Sequence, residues 1–294
     1  MRNYFSHILE GGWNVAVRNL GTGSILKDRT TPFQIIPNTW RTWAADPFLF
    51  EHNGTVYIFA ELFDYIERKG GLGYTSLRDG KWTSWKVIIR ESFHMSYPNL
   101  FKMGNEIYMI PESSGGHSLR LYHAITFPDE WKLEKIIAQN VDWVDTTFFR
   151  WDGVLSAVTT DVSEEENHID YLLKFNDQFD LISQVEIKER HTEYSRSGGN
   201  FFLVDGHEIR VSQDCSKHYG GAMIFSEFIP ERLCENGIEP ELLHLHPNDI
   251  VVTQNHAWTG LHTYNSIEHY EVIDIERKHF NPFGIASRFL SKLR

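Results

Sequence analysis

The sequence predicts an all-β chain folded as a five-bladed β-propeller, and three observations predict it. First, an aromatic strand start recurs ahead of a two-residue turn. Leu49-Phe50 precedes Asn53-Gly54, Leu100-Phe101 precedes Gly104-Asn105, Phe148-Phe149 precedes Asp152-Gly153, and Phe201-Phe202 precedes Asp205-Gly206. Phe50, Phe101, Phe149 and Phe202 are 51, 48 and 53 residues apart, and a period near 50 built of hairpins is a signature of propeller blades. Second, the segments after these turns are strand-length and rich in β-branched and aromatic residues. Third, Pro47, Leu49, Phe50, Tyr57 and Glu61 recur 51 residues later as Pro98, Leu100, Phe101, Tyr108 and Glu112.

Each element follows in order. Residues 13–18 alternate as a strand does but belong to no repeat. In the first repeat, residues 55–60, 72–76 and 85–89 read as second, third and outer strands. In the second repeat, residues 106–110, 119–122 and 131–137 take the same places. The four repeats span about residues 40–248, and residues 259–277 are too few for a further blade. Residues 13–18 are therefore expected to complete blade five, closing the ring with strands from both ends and removing its open edge. Residues 1–281 are read as the propeller domain. Residues 282–294 are read as a short basic amphipathic helix, with apolar Ile285, Phe289, Leu290 and Leu293 opposite Arg288, Lys292 and Arg294. Such a helix either docks on the propeller or touches an anionic membrane surface.

Charge and cysteine usage narrow the function. A net charge of −12 over 294 residues argues against a nucleic-acid partner, which needs clustered Lys and Arg. Cys215 and Cys234 have no metal-ligand spacing, and no segment resembles a signal sequence or a membrane span. The expected location is cytoplasmic, at the inner face of the membrane if the tail binds lipid. No Walker loop, dinucleotide turn, His-x-x-x-His pair or Ser-His-Asp signature is present.

In a propeller the innermost strands line a central funnel, so the repeat also maps a site. The position four residues before the key phenylalanine is Asp46, Tyr97, Asp145 and Gly198. The position eleven residues after it is Glu61, Glu112, Thr160 and Gln213. A carboxylate on an inner strand is costly unless paired or working. Glu61 and Glu112 either hydrogen-bond between blades or serve the site. Three stretches add polar density: His94 to Asn99, Arg196 to Asn200, and Arg210 to Gly220. The glycines of the second would let backbone approach a ligand. Arg196, Arg210, Lys217 and His218 either form an anion cradle or pair with nearby acids. Tyr219 lies in the same stretch, and His262 is blade five's candidate contributor.

The strings Ala45-Asp46-Pro47-Phe48, Ser96-Tyr97-Pro98-Asn99-Leu100-Phe101, Tyr108-Met109-Ile110-Pro111-Glu112-Ser113, Arg196-Ser197-Gly198-Gly199 and Ser212-Gln213-Asp214-Cys215 with Tyr219-Gly220 carry a resemblance. From about Trp40 to the region of His262 the chain resembles propeller proteins of bacterial polysaccharide loci. It also resembles the N-terminal region of plant glucosamine inositolphosphorylceramide transferases. More distantly it is similar to five-bladed glycosidases of the arabinanase and xylosidase type. The bacterial group includes glycan phosphoribosyltransferases, which move ribose 5-phosphate from phosphoribosyl pyrophosphate (PRPP) to a growing glycan. The glycosidase resemblance implies Asp46 as base and Asp145 as auxiliary carboxylate, but Gly198 stands where an acid is expected.

Pyrophosphate leaves without protonation, so phosphoribosyl transfer needs a base and an anion cradle rather than a second acid. The sequence reading is therefore an inverting glycosyltransferase that carries ribofuranosyl 5-phosphate from PRPP to a glycan, lipid-linked or free. Asp46 is the base, and Arg196, Arg210 and Lys217 surround the phosphates. Asp145 or Asp214 would position the acceptor or a Mg2+ ion. Two alternatives remain at this stage. One is a glycosidase with Glu112 as a substitute acid. The other is a non-catalytic glycan-binding propeller that stacks sugars on Tyr97 and Trp43.

Overall fold

The computed structural model describes residues 9–21, 24–164, 167–187, 194, 196–237, 239–254 and 256–280. The proposed tail helix, residues 282–294, lies outside them. Five antiparallel sheets are arranged as propeller blades. From the axis outward, blade one runs Thr42–His52, Thr55–Asp64, Lys69–Arg78 and Lys86–Ile89. Blade two runs Ser96–Met103, Glu106–Glu112, Ser118–Thr126 and Glu130–Gln139. Blade three is Trp143–Trp151, Val154–Asp161, Ile169–Phe175 and Leu181–Ile187. Blade four is Phe202–Val204, His207–Asp214, Ala222–Glu227 and Glu241–Leu245.

Blade five is built from both ends of the described chain. Tyr264–Ile267 and Tyr270–Phe280 form its inner hairpin, and Leu9–Asn19 and Gln34–Ile35 its outer half. Leu9–Asn19 pairs with Tyr270–Phe280 along its whole length, from Leu9 opposite Phe280 to Asn19 opposite Tyr270. The alternation around Trp13 thus marks the closing strand. One short helix, Pro230–Asn236, interrupts blade four and buries Leu233 beside Phe149 and Phe228. No sequence signal had pointed to it.

The turn dipeptides act as expected. Asn53 and Gly54, Asp152 and Gly153, and Asp205 and Gly206 have positive φ at both positions, the geometry that matches a hairpin to strand twist. Between blades the core is aromatic. Phe48 meets Tyr97 edge-on at 4.7 Å, and Phe101 stacks on Phe148 at 5.3 Å.

The most consequential local feature lies in the inner strands. Pairing slips between Ala45 and Phe48, between Ser96 and Asn99, and between Val144 and Thr147. The residues at these bulges, Asp46, Tyr97 and Asp145, have φ of 49°, 47° and 49°. A left-handed non-glycine residue costs about 1–3 kcal/mol, and a bulge re-aims a side chain. The sequence register therefore corresponds to a repeated, strained backbone device. Blade four lacks it. There Gly199 has φ 137°, and an added Cβ would meet the Tyr264 carbonyl oxygen. The glycines of this stretch admit the backbone of blade five, not that of a ligand.

Candidate functional site

A cavity of about 410 Å³ opens at the axis. Asp46, Glu61, His94, Glu112, Arg196, Tyr219 and His262 line it with Trp13, Trp43 and Phe63. Trp43 and Phe63 stack at 4.6 Å and form its aromatic wall.

Asp46 sits in a closed hydrogen-bond network. Its Oδ1 accepts from Thr263 Oγ1 at 2.9 Å, and its Oδ2 from the Tyr97 backbone N–H at 3.2 Å. Its own N–H donates to Asp274 Oδ2 at 2.9 Å. His262 bridges the two acids. Its Nδ1 is 2.6 Å from Asp274 Oδ2, and its Nε2 is 3.6 Å from Asp46 Oδ1. Asp274 also accepts the backbone N–H groups of His262 and Thr263, which fixes the imidazole in place. Trp13 covers the ring face at 3.9 Å and 13°.

The electrostatics follow from this packing. Burial, opposed by His262 and reinforced by Asp274 and Asp145, pushes the Asp46 carboxyl up to about 6. Burial alone would lower His262, but Asp274 and Asp46 outweigh it and raise it above its ordinary 6.5. Burial likewise raises Asp145, against the pull of Arg196. Glu61 is raised well above the usual carboxylate range, first by burial and then by Asp46, Glu112 and Asp274. Its Oε1 is buried with no hydrogen-bond partner. Glu112 is engaged, accepting from Ser96 Oγ at 2.7 Å and from Ser114 N–H at 2.9 Å.

Several predicted site residues do not reach the cavity. Tyr97 is fully buried; its hydroxyl pairs with Thr147 Oγ1 at 2.8 Å and accepts the Gly199 N–H at 2.7 Å. No sugar can stack on it. Arg210 lies three residues from Gln213 on one strand, hence on the opposite face. It is fully buried and pairs with Glu239 at 2.7 Å. Gln213 braces the wall, donating to Asp145 Oδ2 at 3.0 Å. Lys217, His218 and Asp214 line a separate cavity of about 310 Å³ with Trp258. The loop carrying them turns only Tyr219 into the funnel. Asp214 is held there by His244 at 2.8 Å.

The expected anion cradle is thus reduced to Arg196. It donates to Asp145 Oδ2 at 2.7 Å and lies over the Tyr219 ring at 5.1 Å. Nor is a metal cage offered. Asp46, His262 and Asp274 bring ligand atoms within 4.8 Å of one another, but all four carboxylate oxygens already accept protein hydrogen bonds. These residues fit a proton network rather than a resident Mg2+.

Sequence reasoning missed Asp274, Thr263, Trp13 and Phe63. Asp274 lies on the second strand of blade five, and a lone carboxylate between Ile273 and Ile275 was the available signal. Trp13 belongs to the closing strand, and nothing in its sequence neighbourhood places it beside His262.

Known proteins share part of this sequence and this fold. Proteins named glucosamine inositolphosphorylceramide transferase 1 from Arabidopsis thaliana and Oryza sativa subsp. indica are each 32% identical, over 191 and 188 residues. Each alignment covers 60% of this chain but only 24% and 25% of those proteins, so the chain spans about a quarter of their length. An α-L-arabinofuranosidase from Lactobacillus brevis superposes with a TM-score of 0.57 at 14% identity, covering 84% of this chain and 89% of that one. A GH62 hydrolase in complex with xylotriose gives 0.58 at 10% identity, covering 84% and 95%. At such identities the likeness is one of fold. Residues 35–265 match the family model described as glucosamine inositolphosphorylceramide transferase 1, N-terminal, and the chain belongs to that family.

Proposed function

We propose that the chain is a glycosyltransferase of polysaccharide assembly in which Asp46 is the base that activates an acceptor hydroxyl. One observation carries the reading. Asp46 is aimed at the axis by a strained bulge and held by Thr263, the Tyr97 N–H and His262, with its carboxyl raised to about 6. Such a group is ionised at neutral pH and more basic than an ordinary aspartate, as general-base catalysis favours. His262, clamped by Asp274, offsets the charge that Asp46 gains on ionising. The named relatives are transferases, and this reading shares their reaction class.

The finer reading is inverting transfer of ribofuranosyl 5-phosphate from PRPP to a glycan at the cytoplasmic face of a membrane. Arg196 is the Arg or Lys side chain among the described residues that line the funnel. Asp46, Glu61 and Glu112 make that lining acidic, so the diphosphate would enter as its Mg2+ complex. The test is to incubate the protein with PRPP, Mg2+ and an acceptor glycan and to follow pyrophosphate release. The reading requires release in the wild type and its loss in Asp46→Asn. Absence of release with PRPP removes this donor.

A specific observation favours a second reading, glycoside hydrolysis. The acid missing at Gly198 is supplied by Glu61, a buried carboxyl raised well above its ordinary range close to Asp46. An acid and a base with separated proton affinities are what glycosidases use. Release of nitrophenol from a nitrophenyl arabinofuranoside without any acceptor, lost in Glu61→Gln, would establish it over transfer.

A further inference from the structure

We propose that Glu61 is the general acid of the funnel: it gives its proton to the leaving oxygen of the donor sugar and is resupplied from solvent in the cavity. The inference rests on the second reading of the funnel, glycosyl chemistry on a donor whose leaving oxygen needs a proton; a pyrophosphate leaving group makes no call on Glu61.

Three geometric facts carry it. First, the Glu61 side chain is only 6% exposed, yet it lines the cavity. Its carboxyl accepts none of the hydrogen bonds that satisfy Asp46, Glu112 and Asp274. A buried carboxylate faced only by the His94 Nε2–H at 3.4 Å loses its hydration with little compensation, whereas a carboxylic acid carries its own donor. Second, the backbone clears space for this group at Gly70. A Cβ on Gly70 would stand 2.4 Å from Glu61 Oε1 and 2.5 Å from the Met95 carbonyl oxygen. Third, His94 offers the carboxyl a donor for the moment its proton has left. Its Nδ1 accepts the Gly70 N–H at 3.0 Å, so the ring proton sits on Nε2, which lies 3.4 Å from Glu61 Oε1. The His94 side chain itself is 41% exposed.

The titratable groups facing Glu61 reinforce this. Asp46 from the inner strand of blade one, Glu112 from blade two and Asp274 from blade five all oppose its ionisation. Tyr219 faces it from the blade-four loop. Burial keeps His94 below its ordinary 6.5, so this imidazole does not neutralise the carboxylate. In the step itself, the bond from the anomeric carbon to the leaving oxygen breaks while the Glu61 proton moves to that oxygen. Asp46 takes the proton of the attacking hydroxyl as the new bond from the anomeric carbon to oxygen forms. Glu61 then regains a proton from solvent in the cavity it lines, and Asp46 releases its own there.

The test joins a spectroscopic and a kinetic measurement. Infrared difference spectra at pH 7 compare wild type with Glu61→Gln, a near-isostere, and circular dichroism checks that both are folded. The expected result is a protonated-carboxyl signal in the wild type that the variant lacks. The kinetic arm uses Mg2+ with PRPP and, separately, a series of nitrophenyl arabinofuranosides with increasingly poor leaving groups. In Glu61→Gln, turnover of the arabinofuranosides should fall by about 10²–10⁴-fold, most for the poorest leaving group, while any turnover of PRPP should hold. A signal unchanged by the substitution overturns the inference whatever the activity. So does a uniform loss that ignores the leaving group. A signal that disappears, in a wild type that turns over neither donor, leaves the protonated carboxyl standing but removes the glycosyl-chemistry reading and the acid role with it.

Discussion

Replacing Asp46 by Asn separates the cost of holding a base from the strength of its hydrogen bonds. In the folded protein this carboxyl is raised from 3.8 to about 6. In the unfolded chain it ionises near 3.8, so between these values the folded state binds the extra proton. Stability therefore falls as pH rises through this window, and the loss is complete above the folded value. At about 1.4 kcal/mol per pH unit, the window corresponds to about 3 kcal/mol. The variant lacks this titration. It pays a separate penalty because Asn offers one acceptor where Thr263 Oγ1 and the Tyr97 N–H use two, about 1–3 kcal/mol. That penalty does not vary with pH. Urea unfolding of both proteins from pH 4 to pH 6.5, followed by tryptophan fluorescence, isolates the titration as a difference. The wild type should lose about 2 kcal/mol relative to Asp46→Asn across that range, the rest of the window lying outside it. Above it, His262 enters: its raised value means a stabilising charge present below 6.5 and lost as pH rises through its folded value. A difference that stays flat from pH 4 to pH 6.5 would mean an ordinary Asp46, and the argument for it as a tuned base would fall.

Two further substitutions test the placement of the cations and the fit around Glu61. Arg196→Gln should raise the KM for an anionic donor and, by leaving Asp145 buried without its ion pair, cost about 3–5 kcal/mol in unfolding measurements. Lys217→Ala, outside the funnel, should change neither KM nor stability; an equal effect of both on KM would restore the cradle read from the sequence. Gly70→Ala should destabilise the fold and displace Glu61, since the new Cβ meets backbone at Met95 as well as the carboxyl. Thermal unfolding at wild-type temperature, with an unaltered infrared carboxyl signal, would show that the pocket has more room than these distances allow.

The blade count was legible because hairpin turns and aromatic strand starts are local signals that repeat at a fixed spacing. Closure was legible by subtraction, since residues 13–18 had nowhere else to pair. The site was legible only where it follows the repeat: Asp46 and Glu61 line the funnel at their register positions. It failed where a side chain's direction depends on a loop or on strand parity. Lys217, His218 and Tyr219 are consecutive, yet only Tyr219 reaches the funnel. Arg210 reads as a phosphate ligand and is a buried partner of Glu239.

Tyr97 shows why equivalent positions need not share a role. It keeps the left-handed φ of Asp46 and Asp145, so the strained bulge persists even where no carboxylate is displayed. Its hydroxyl reaches Thr147 of blade three and the Gly199 N–H of blade four, while its own N–H holds Asp46. A side chain driven to the axis has two uses: to face the cavity or to tie the blades beneath it. Tyr97 takes the second, and through its backbone it supports the first at Asp46. The strain at the Asp46 and Tyr97 bulges is thus tied to one outcome, an Asp46 carboxyl held between blades one, two and five.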